Sequence, residues 1–398
     1  MSKKIVVVTE YFYPNERTDA FLLTEIVKKI AEVNGGDIKI VCTSSLEGKK
    51  EIPSLQGKVI RLKASQLNEN KIITRIVKFI ILTARLSWSA FKVIQKNDRV
   101  FLTTNPAFLI PVISILRKFK KFEYTLLVYD VFPENLSAGK VLSSKSFFYK
   151  IVKKIYDWAY AQSDRLVVIG RDMEEVIQEK TAHSKPTYLI QNWCDYHKVV
   201  PQNKEENELL KRLNIEKKKV FLFAGTLGRV QGIKTLLEAS KQVKDKDFIL
   251  LFVGKGAYLQ KLMEFIEKDT PSNVYYAGSF PISEQNTFLN ACDVSIISLS
   301  DEMYGLGVPS KSYYNMAAAK PLLYIGDERS EIAQVIKEHK IGWQVEANSV
   351  DALVDKFEAI CNEIENASSL GKKSRKIVET YFSKEVTLEK YSKLYRGI

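Results

Sequence analysis

Short runs of Val, Ile, Leu and Phe recur along this chain, and between them apolar residues return every three or four positions. Continuous apolar runs read as strands buried on both faces. The longer period reads as helices laid against a sheet. IVVVTE (5–10), IKIVCTS (38–44), RVFLTT (99–104), EYTLLVYD (123–130), RLVVIG (165–170) and TYLIQN (187–192) form a first series. VFLFAG (220–225), FILLFVG (248–254), NVYYAG (273–278), VSIISLS (294–300), PLLYIG (321–326) and GWQVE (342–346) form a second. Two such series predict an α/β protein of two doubly wound, Rossmann-like domains. The Pro, Asn and charge cluster of QNWCDYHKVVPQNKEEN places the boundary near 195/196. The first domain is then 1–195 and the second 196–380. The amphipathic segment 383–396 has no strand after it, so a helix over about 381–398 is expected to cross back onto the first domain.

One segment departs from the pattern. KIITRIVKFIILTARLSWSAFKVIQK (71–96) is apolar nearly all round a helix, with Lys71, Arg75, Lys78, Arg85, Lys92 and Lys96 interrupting it. A spanning helix needs about 20 residues with few charges, so this one does not span. It is either a core helix of the first domain or a contact lying on a membrane surface, with Trp88 and Phe91 as its aromatic anchors.

Charge sharpens that choice. The chain of 398 residues carries +13, of which +11 falls in 1–195 and only +2 in 196–398. A basic first half suits a solvated surface, an anionic membrane or a nucleic acid. Basic residues are not interleaved with a nucleic-acid-reading motif. Cys42, Cys194, Cys292 and Cys361 are far apart and form no CxxC pair, so neither a zinc site nor a disulfide framework is expected, and a reducing compartment fits. MSKKIVVVTEYF has too short an apolar run for a signal peptide and reads as a first strand.

Candidate chemistry gathers where strands end in the second half, the edge at which open α/β sheets bind ligands. FAGTLGRVQGIKTLLEA (223–239) is a strand, a glycine-spaced turn and a helix. Gly225 and Gly228 permit close backbone approach, and Arg229 could pair bidentately with a diphosphate. FVGKG (252–256) brings Gly254 to the next strand end, and YYAGSF (275–280) brings Ser279 and Phe280, whose backbone could meet a base edge. GLGVPSKSYYNMAAAKPLL (305–323) sets Pro309, Ser310 and Lys311 at the mouth of a small-residue helix, where free amides and a cation attract phosphate. GxxxxGK[ST] and GxGxxG are both absent, and the Asp245–Lys246–Asp247 triplet precedes its strand, at the wrong end for a ligand. His183, His197 and His339 are scattered, which leaves a metal cluster or a Ser-His-Asp nucleophile without support.

In their order these features resemble the retaining glycosyltransferases of family 4. The chain is similar in particular to bacterial polysaccharide sugar transferases that include N-acetylfucosaminyl transferases. The resemblance rests on TEYFYPNE, YDVFPENLSAG, VVIGRDM and QNWCD in the first half, and on AGTLGRVQGI, FVGKG, GVPSKSYYNMAAAKPLLYI and SEIAQVI in the second. It implies the GT-B fold, with two Rossmann-like domains and an interdomain cleft. A nucleotide-sugar donor would sit on the second domain and an acceptor on the first, with no metal or other cofactor and with retention at the anomeric carbon. Uridine is the default base, with guanosine open. The departures are as informative. Where the family often has Arg and Lys in the phosphate turn, this chain has Thr226 and Gln231, so Arg229 and Lys311 would supply the charge. The two family glutamates, eight positions apart, fall on Leu306 and Tyr314, and Glu302 is a substitute for the first. The family histidine after the strand at 123–130 is replaced by Tyr129 and Asp130, so Asp130 and Glu134 are the acceptor-side carboxylates. The basic half implies a cytoplasmic enzyme held peripherally at the inner face of an anionic membrane, acting on a lipid-linked saccharide. A nucleotide-sugar epimerase or hydrolase of the same fold is the alternative, and a nucleic-acid-binding protein is a remote one.

Overall fold

The computed structural model describes residues 3–15, 17–43, 52–63, 72–269 and 271–396. Glu16 of the TEYFYPNE motif and Lys71 lie outside these. The chain divides into two compact units: 1–191 with 305–307 and 387–398, and 192–304 with 308–386.

The first unit alternates strand and helix: β1 (Ile5–Val8), α1 (Thr18–Val33), β2 (Ile38–Thr43), β3 (Val59–Leu62), α2 (Ile72–Val93), β4 (Arg99–Thr103), α3 (Leu109–Lys120), β5 (Glu123–Val128), α4 (Glu134–Ala138), α5 (Phe147–Tyr160), β6 (Arg165–Val168), α6 (Arg171–Lys180) and β7 (Thr187–Leu189). All pairs are parallel, in the order β3-β2-β1-β4-β5-β6-β7. The order reverses at β1/β4, the switch point where such sheets open a crevice. Each expected strand is present, and each ends one to three residues before its apolar run does, because residues such as Thr9, Glu10, Tyr129 and Asp130 leave the ladder for the carboxyl-edge loops. β3 was not expected: VIRL is short, holds Arg61 and is only partly buried, as an edge strand tolerates.

The second unit holds α7 (Glu208–Leu213), β8 (Lys219–Ala224), α8 (Ile233–Ser240), β9 (Phe248–Val253), α9 (Leu259–Asp269), β10 (Val274–Tyr276), α10 (Gln285–Leu289), β11 (Val294–Ser298), α11 (Lys311–Ala317), β12 (Leu322–Ile325), α12 (Glu331–His339), β13 (Gly342–Val345), α13 (Val350–Asn362) and α14 (Asn366–Tyr381). Its sheet is again parallel, in the order β10-β9-β8-β11-β12-β13, with the switch point at β8/β11. Alternate residues of β8 and β9 fill opposite faces. Phe221, Phe223, Phe248 and Phe252 pack toward Phe357 of α13, whereas Val220, Leu222, Ile249 and Leu251 pack with Leu209 and Leu210 of α7. Asn207 starts α7 by accepting from the amides of Leu209 and Leu210. The last helix, α15 (Lys384–Arg396), places Tyr395 in the first unit, edge-on to Phe101 at 6.1 Å. Arg99 there donates to the Tyr395 carbonyl.

Candidate active site

At the carboxyl edge of the second sheet, three successive turns interlock through their backbones. The Gly225 amide donates to Val253 O at 2.9 Å, the Leu227 amide to Lys255 O at 2.9 Å, and the Gly254 amide to Gly278 O at 2.8 Å. A Cβ on Gly254 would lie 1.8 Å from the Gly225 carbonyl oxygen. The bareness of Gly254 therefore serves this backbone-to-backbone approach; the space its missing side chain leaves is filled by protein. Gly225 differs. The direction its Cβ would take meets the Lys311 side chain, with Cδ at 3.4 Å.

Lys311 opens α11, the helix that follows β11, one of the two strands that flank the β8/β11 switch point. Its ammonium nitrogen sits 3.7 Å from the centroid of the fully buried Phe223 ring, a cation–π distance. The side chain is partly buried against the ring and the Gly225 turn, and that desolvation pushes its pKa down, to about 7. Around the same strand ends lie buried side-chain oxygens with no hydrogen-bond partner: Gln231 Oε1, Ser298 Oγ and Ser312 Oγ. Such groups each cost about 1–3 kcal/mol when unmet.

The other donor-side residues spread along the same edge. Thr226 and Arg229 are exposed in the turn after β8, and Ser279 is exposed after β10. Phe280 is partly buried, with its ring 5.9 Å from Phe288. Pro309 and Ser310 lead into α11. Tyr314, one turn into α11, is crowded by protein. Burial, and then Cys194 and Asp195, push its phenol above its ordinary pKa. Glu302 lies exposed in the 3₁₀ turn Asp301–Met303. Phe223 was missed in the sequence because it reads as one more core residue of an apolar strand. Ser298 and Ser312 carry no motif at all.

In the first unit, Thr104 Oγ1 at the end of β4 accepts from the amides of Tyr129 (3.1 Å) and Asp130 (3.3 Å), which fixes the turn after β5. Burial, and then the negative charge of Asp19, push the Asp130 carboxyl up to about 6; Arg17 partly offsets them. Arg17 itself pairs with Asp19 at 3.0 Å and lies 4.3 Å over the Tyr11 ring. Glu134 is differently placed. Lys153 approaches it at 2.9 Å and the buried Lys180 at 2.8 Å, and both lysines also pair with Asp157. Burial would raise its pKa, but Lys180 and Lys153 outweigh that and hold it below the ordinary carboxylate range. A carboxylate held by two ammoniums is a weak base. Its geometry is that of a tie between α4, α5 and α6.

The first unit also carries an apolar, basic helical face. On α2, Leu82, Leu86 and Ala90 are buried, whereas Val77, Ile80, Trp88 and Phe91 are exposed. One face of this helix is thus packed into the first unit and the other is exposed. α3 exposes Ile115 and Phe119 (78%), and α5 exposes Phe147 (79%), Phe148 (64%), Ile151 and Ile155. Ser114 of α3 donates to Ala159 O, and Lys118 lies 4.9 Å over Trp158, so α3 and α5 are side by side. Lys120 donates to the carbonyls of Phe91 and Ile94 and so tethers α3 to α2. Lys121, Lys145, Lys150 and Lys154 are exposed. Among the described residues no helix is long and apolar enough to cross a membrane, and no group of His, Cys, Asp and Glu could hold a metal ion.

Two parallel-sheet α/β units, the second with a cation at its switch point, are the architecture of a GT-B glycosyltransferase. The family described as Glycosyl transferases group 1 matches residues 205–377, the second unit almost throughout. A protein named "Probable glycosyltransferase WbjE" from Pseudomonas aeruginosa is 34% identical over 396 residues, covering 99% of this chain and 98% of that one. WcaI of Escherichia coli strain K12, named for colanic acid biosynthesis, is 22% identical over 290 residues, covering 70% of this chain and 68% of that one. Among solved structures, Anabaena Alr3699/HepE in complex with UDP and glucose superposes with a TM-score of 0.74 at 12% identity, over 100% of both chains, which is a likeness of fold. The chain belongs to the group 1 glycosyl transferases and is an enzyme of that class.

Proposed function

We propose that this enzyme moves a sugar from a nucleoside-diphosphate donor to a lipid-linked or saccharide acceptor during assembly of a bacterial surface polysaccharide, with retention and without a metal. The donor is UDP-linked and N-acetylated. The observation that carries the reading is the meeting of Lys311 with the bare face of Gly225 at the β8/β11 switch point. A diphosphate seated there gains the Lys311 ammonium, with Arg229 exposed in the same turn to pair with a second oxygen. Ser298 and Ser312 offer hydroxyls. WcaI's name points to polysaccharide work, and HepE's structure holds UDP in the same fold. In the transfer, the acceptor oxygen bonds to the anomeric carbon and the bond from that carbon to the diphosphate oxygen breaks. The electron pair leaves with the diphosphate, and the acceptor's proton passes to a leaving phosphate oxygen on the same face. Lys311 and Arg229 stabilise the charge that grows there. Asp130, ionised, orients the acceptor hydroxyl.

The apolar, basic face of α2, α3 and α5 supports peripheral contact with an anionic membrane at the cytoplasmic side. Each lysine near such a surface contributes roughly 1 kcal/mol, and exposed rings such as Phe119 and Phe147 add apolar burial. Because Lys120 is spent on tethering α3 to α2, the charge reversals that test the contact are Lys121→Glu, Lys150→Glu and Lys154→Glu. In flotation, anionic vesicles should recruit the protein at low salt, and the triple variant should be recruited less. Indifference to anionic vesicles removes the membrane reading and leaves the transfer standing. The transfer reading is tested by thermal shift with UDP, GDP and their sugars. A ligand at about a hundred times its Kd should stabilise by roughly 2.7 kcal/mol. Silence from every nucleoside diphosphate sinks the donor assignment.

A further inference from the structure

We propose that the first unit enters an anionic bilayer with the outer face of α5, joined by the adjoining face of α3, whereas the Trp88–Phe91 pair of α2 stays among the headgroups. The proposal rests on the membrane reading above and adds to it which surface reaches the acyl chains.

α5 has two faces of opposite character. Tyr149, Tyr156 and Ala159 are buried, and Lys153 and Asp157 are tied to Glu134 and Lys180. Phe148, Ile151 and Ile155, spaced three and four positions apart, form an uncovered stripe on the other side, with Phe147 beside them. Ser146 Oγ accepts from the Tyr149 amide at 3.1 Å, so the helix is already formed where its phenylalanines stand. The geometry explains why they stand bare. α3 and α5 follow parallel strands, so both run from the carboxyl edge of the sheet back to its amino edge. Ser114, five residues into α3, bonds to Ala159, twelve residues into α5, so α5 starts about 10 Å before α3 does. Its first two turns, about, overhang their neighbour. That end lies at the carboxyl edge, where Asp130 follows β5. A sugar carried on a membrane lipid then meets the acceptor edge at the bilayer surface.

Charge selects the occupant. Residues 140–155 hold five lysines and no carboxylate, and Lys140, Lys145, Lys150 and Lys154 are exposed on and just before α5. Lys118 and Lys121 flank the exposed Phe119 at the end of α3. A second copy of this chain would bring these like charges together. Anionic headgroups neutralise them while the rings pass between. The aromatic pair of α2 is built differently. Trp88 stacks on Phe91 at 5.8 Å, the Lys92 ammonium lies 5.0 Å from the Trp88 ring, and the Lys120 ammonium lies 4.3 Å from the Phe91 ring. Sinking either ring into hydrocarbon would drag an ammonium with it or break the contact, and both are unfavourable. Among the described residues no cation lies over the ring of Phe147 or Phe148.

The test uses the full chain. Its four native cysteines are all buried, so one added surface cysteine takes an environment-sensitive fluorophore selectively. The label goes to Phe148→Cys, Ile155→Cys, Trp88→Cys and, as a control in the second unit, Tyr381→Cys. Each is mixed with vesicles of equal parts phosphatidylglycerol and phosphatidylcholine that carry a nitroxide quencher on the acyl chain or on the headgroup. The Phe148→Cys and Ile155→Cys labels should brighten and be quenched mainly from the acyl chain. The Trp88→Cys label should be quenched mainly from the headgroup, and the Tyr381→Cys label by neither. Phe147→Ser with Phe148→Ser, which keeps every lysine, should weaken recruitment roughly tenfold for each ring removed. Recruitment with the Trp88→Cys label among the acyl chains and the Phe148→Cys label left in water overturns the proposal and leaves the membrane reading standing. Recruitment unchanged in the double serine variant does the same. A Phe148→Cys label that shifts without vesicles, together with a doubled mass in solution, assigns the face to a second copy and overturns it too. Indifference of the unlabelled chain to these vesicles at low salt overturns the membrane reading, and this proposal with it.

Discussion

Gly254→Ala is the substitution whose consequence is written most plainly in the backbone. Its new Cβ would stand 1.8 Å from the Gly225 oxygen, against a floor near 3.0 Å for such contacts, so the turns after β8 and β9 must part by at least about 1.2 Å. That separation strains the Gly225–Val253 and Gly254–Gly278 hydrogen bonds, worth about 1 kcal/mol each. Overpacking adds about 1–3 kcal/mol, and holding alanine at a φ of +134 adds about 1–2 kcal/mol. A loss of roughly 4 kcal/mol is expected, a large share of a domain's margin. Two glycines of the same edge separate the causes. Gly278 has φ +95 and nothing within 4 Å, so Gly278→Ala should lose only about 1 kcal/mol, from backbone strain. Gly225→Ala meets the flexible Lys311 Cδ at 3.4 Å; it should resemble Gly278→Ala in stability yet weaken UDP binding by displacing Lys311. Urea unfolding followed by circular dichroism, with UDP titration alongside, reads both effects. If Gly254→Ala is within 1 kcal/mol of Gly278→Ala, the interlocked-turn account is wrong.

Other expectations are shorter. Arg229→Ala and Lys311→Met should each cost about 2–4 kcal/mol of transition-state stabilisation, measured as kcat/KM with the true donor. Near-normal rates in both would refute the diphosphate placement. In its proposed role Asp130 acts ionised, and burial pushes its carboxyl up to about 6, so turnover should fall tenfold per pH unit below that value, and Asp130→Asn should lower kcat more than nucleotide affinity. An acid limb that persists in Asp130→Asn assigns it to another group. Turnover should continue in EDTA, since the switch-point side chains near the diphosphate are cations and hydroxyls; loss in chelator restored by Mg²⁺ would refute metal-free transfer.

The sheets were legible because their central strands, such as IVVV, VFLFA and FILLFV, are nearly unbroken apolar runs, a pattern that survives without tertiary context. β3 was not, since Arg61 interrupts it and its residues are half exposed. Lys311 stood out as a cation beside a helix start, but its seat could not be read. Phe223 lies 88 positions earlier in a strand whose alternate residues all look like core. Glu134 looked available because its partners Lys153 and Lys180 are 19 and 46 residues away. Gly254 looked like a ligand-facing glycine until the Gly225 carbonyl occupied its open side. Nothing in the sequence singled out α5; the packed unit reveals that Phe147, Phe148, Ile151 and Ile155 are left uncovered.

The central claim is that the second unit holds a nucleoside diphosphate at its β8/β11 switch point, on Lys311. A crystal structure of the full chain with UDP tests it most directly. The account predicts a phosphate oxygen at a charge-assisted distance of roughly 2.7–2.9 Å from Lys311 Nζ, above the Gly225 turn, with the ammonium lifted off Phe223. A diphosphate bound elsewhere, with Lys311 still folded on that ring, contradicts it.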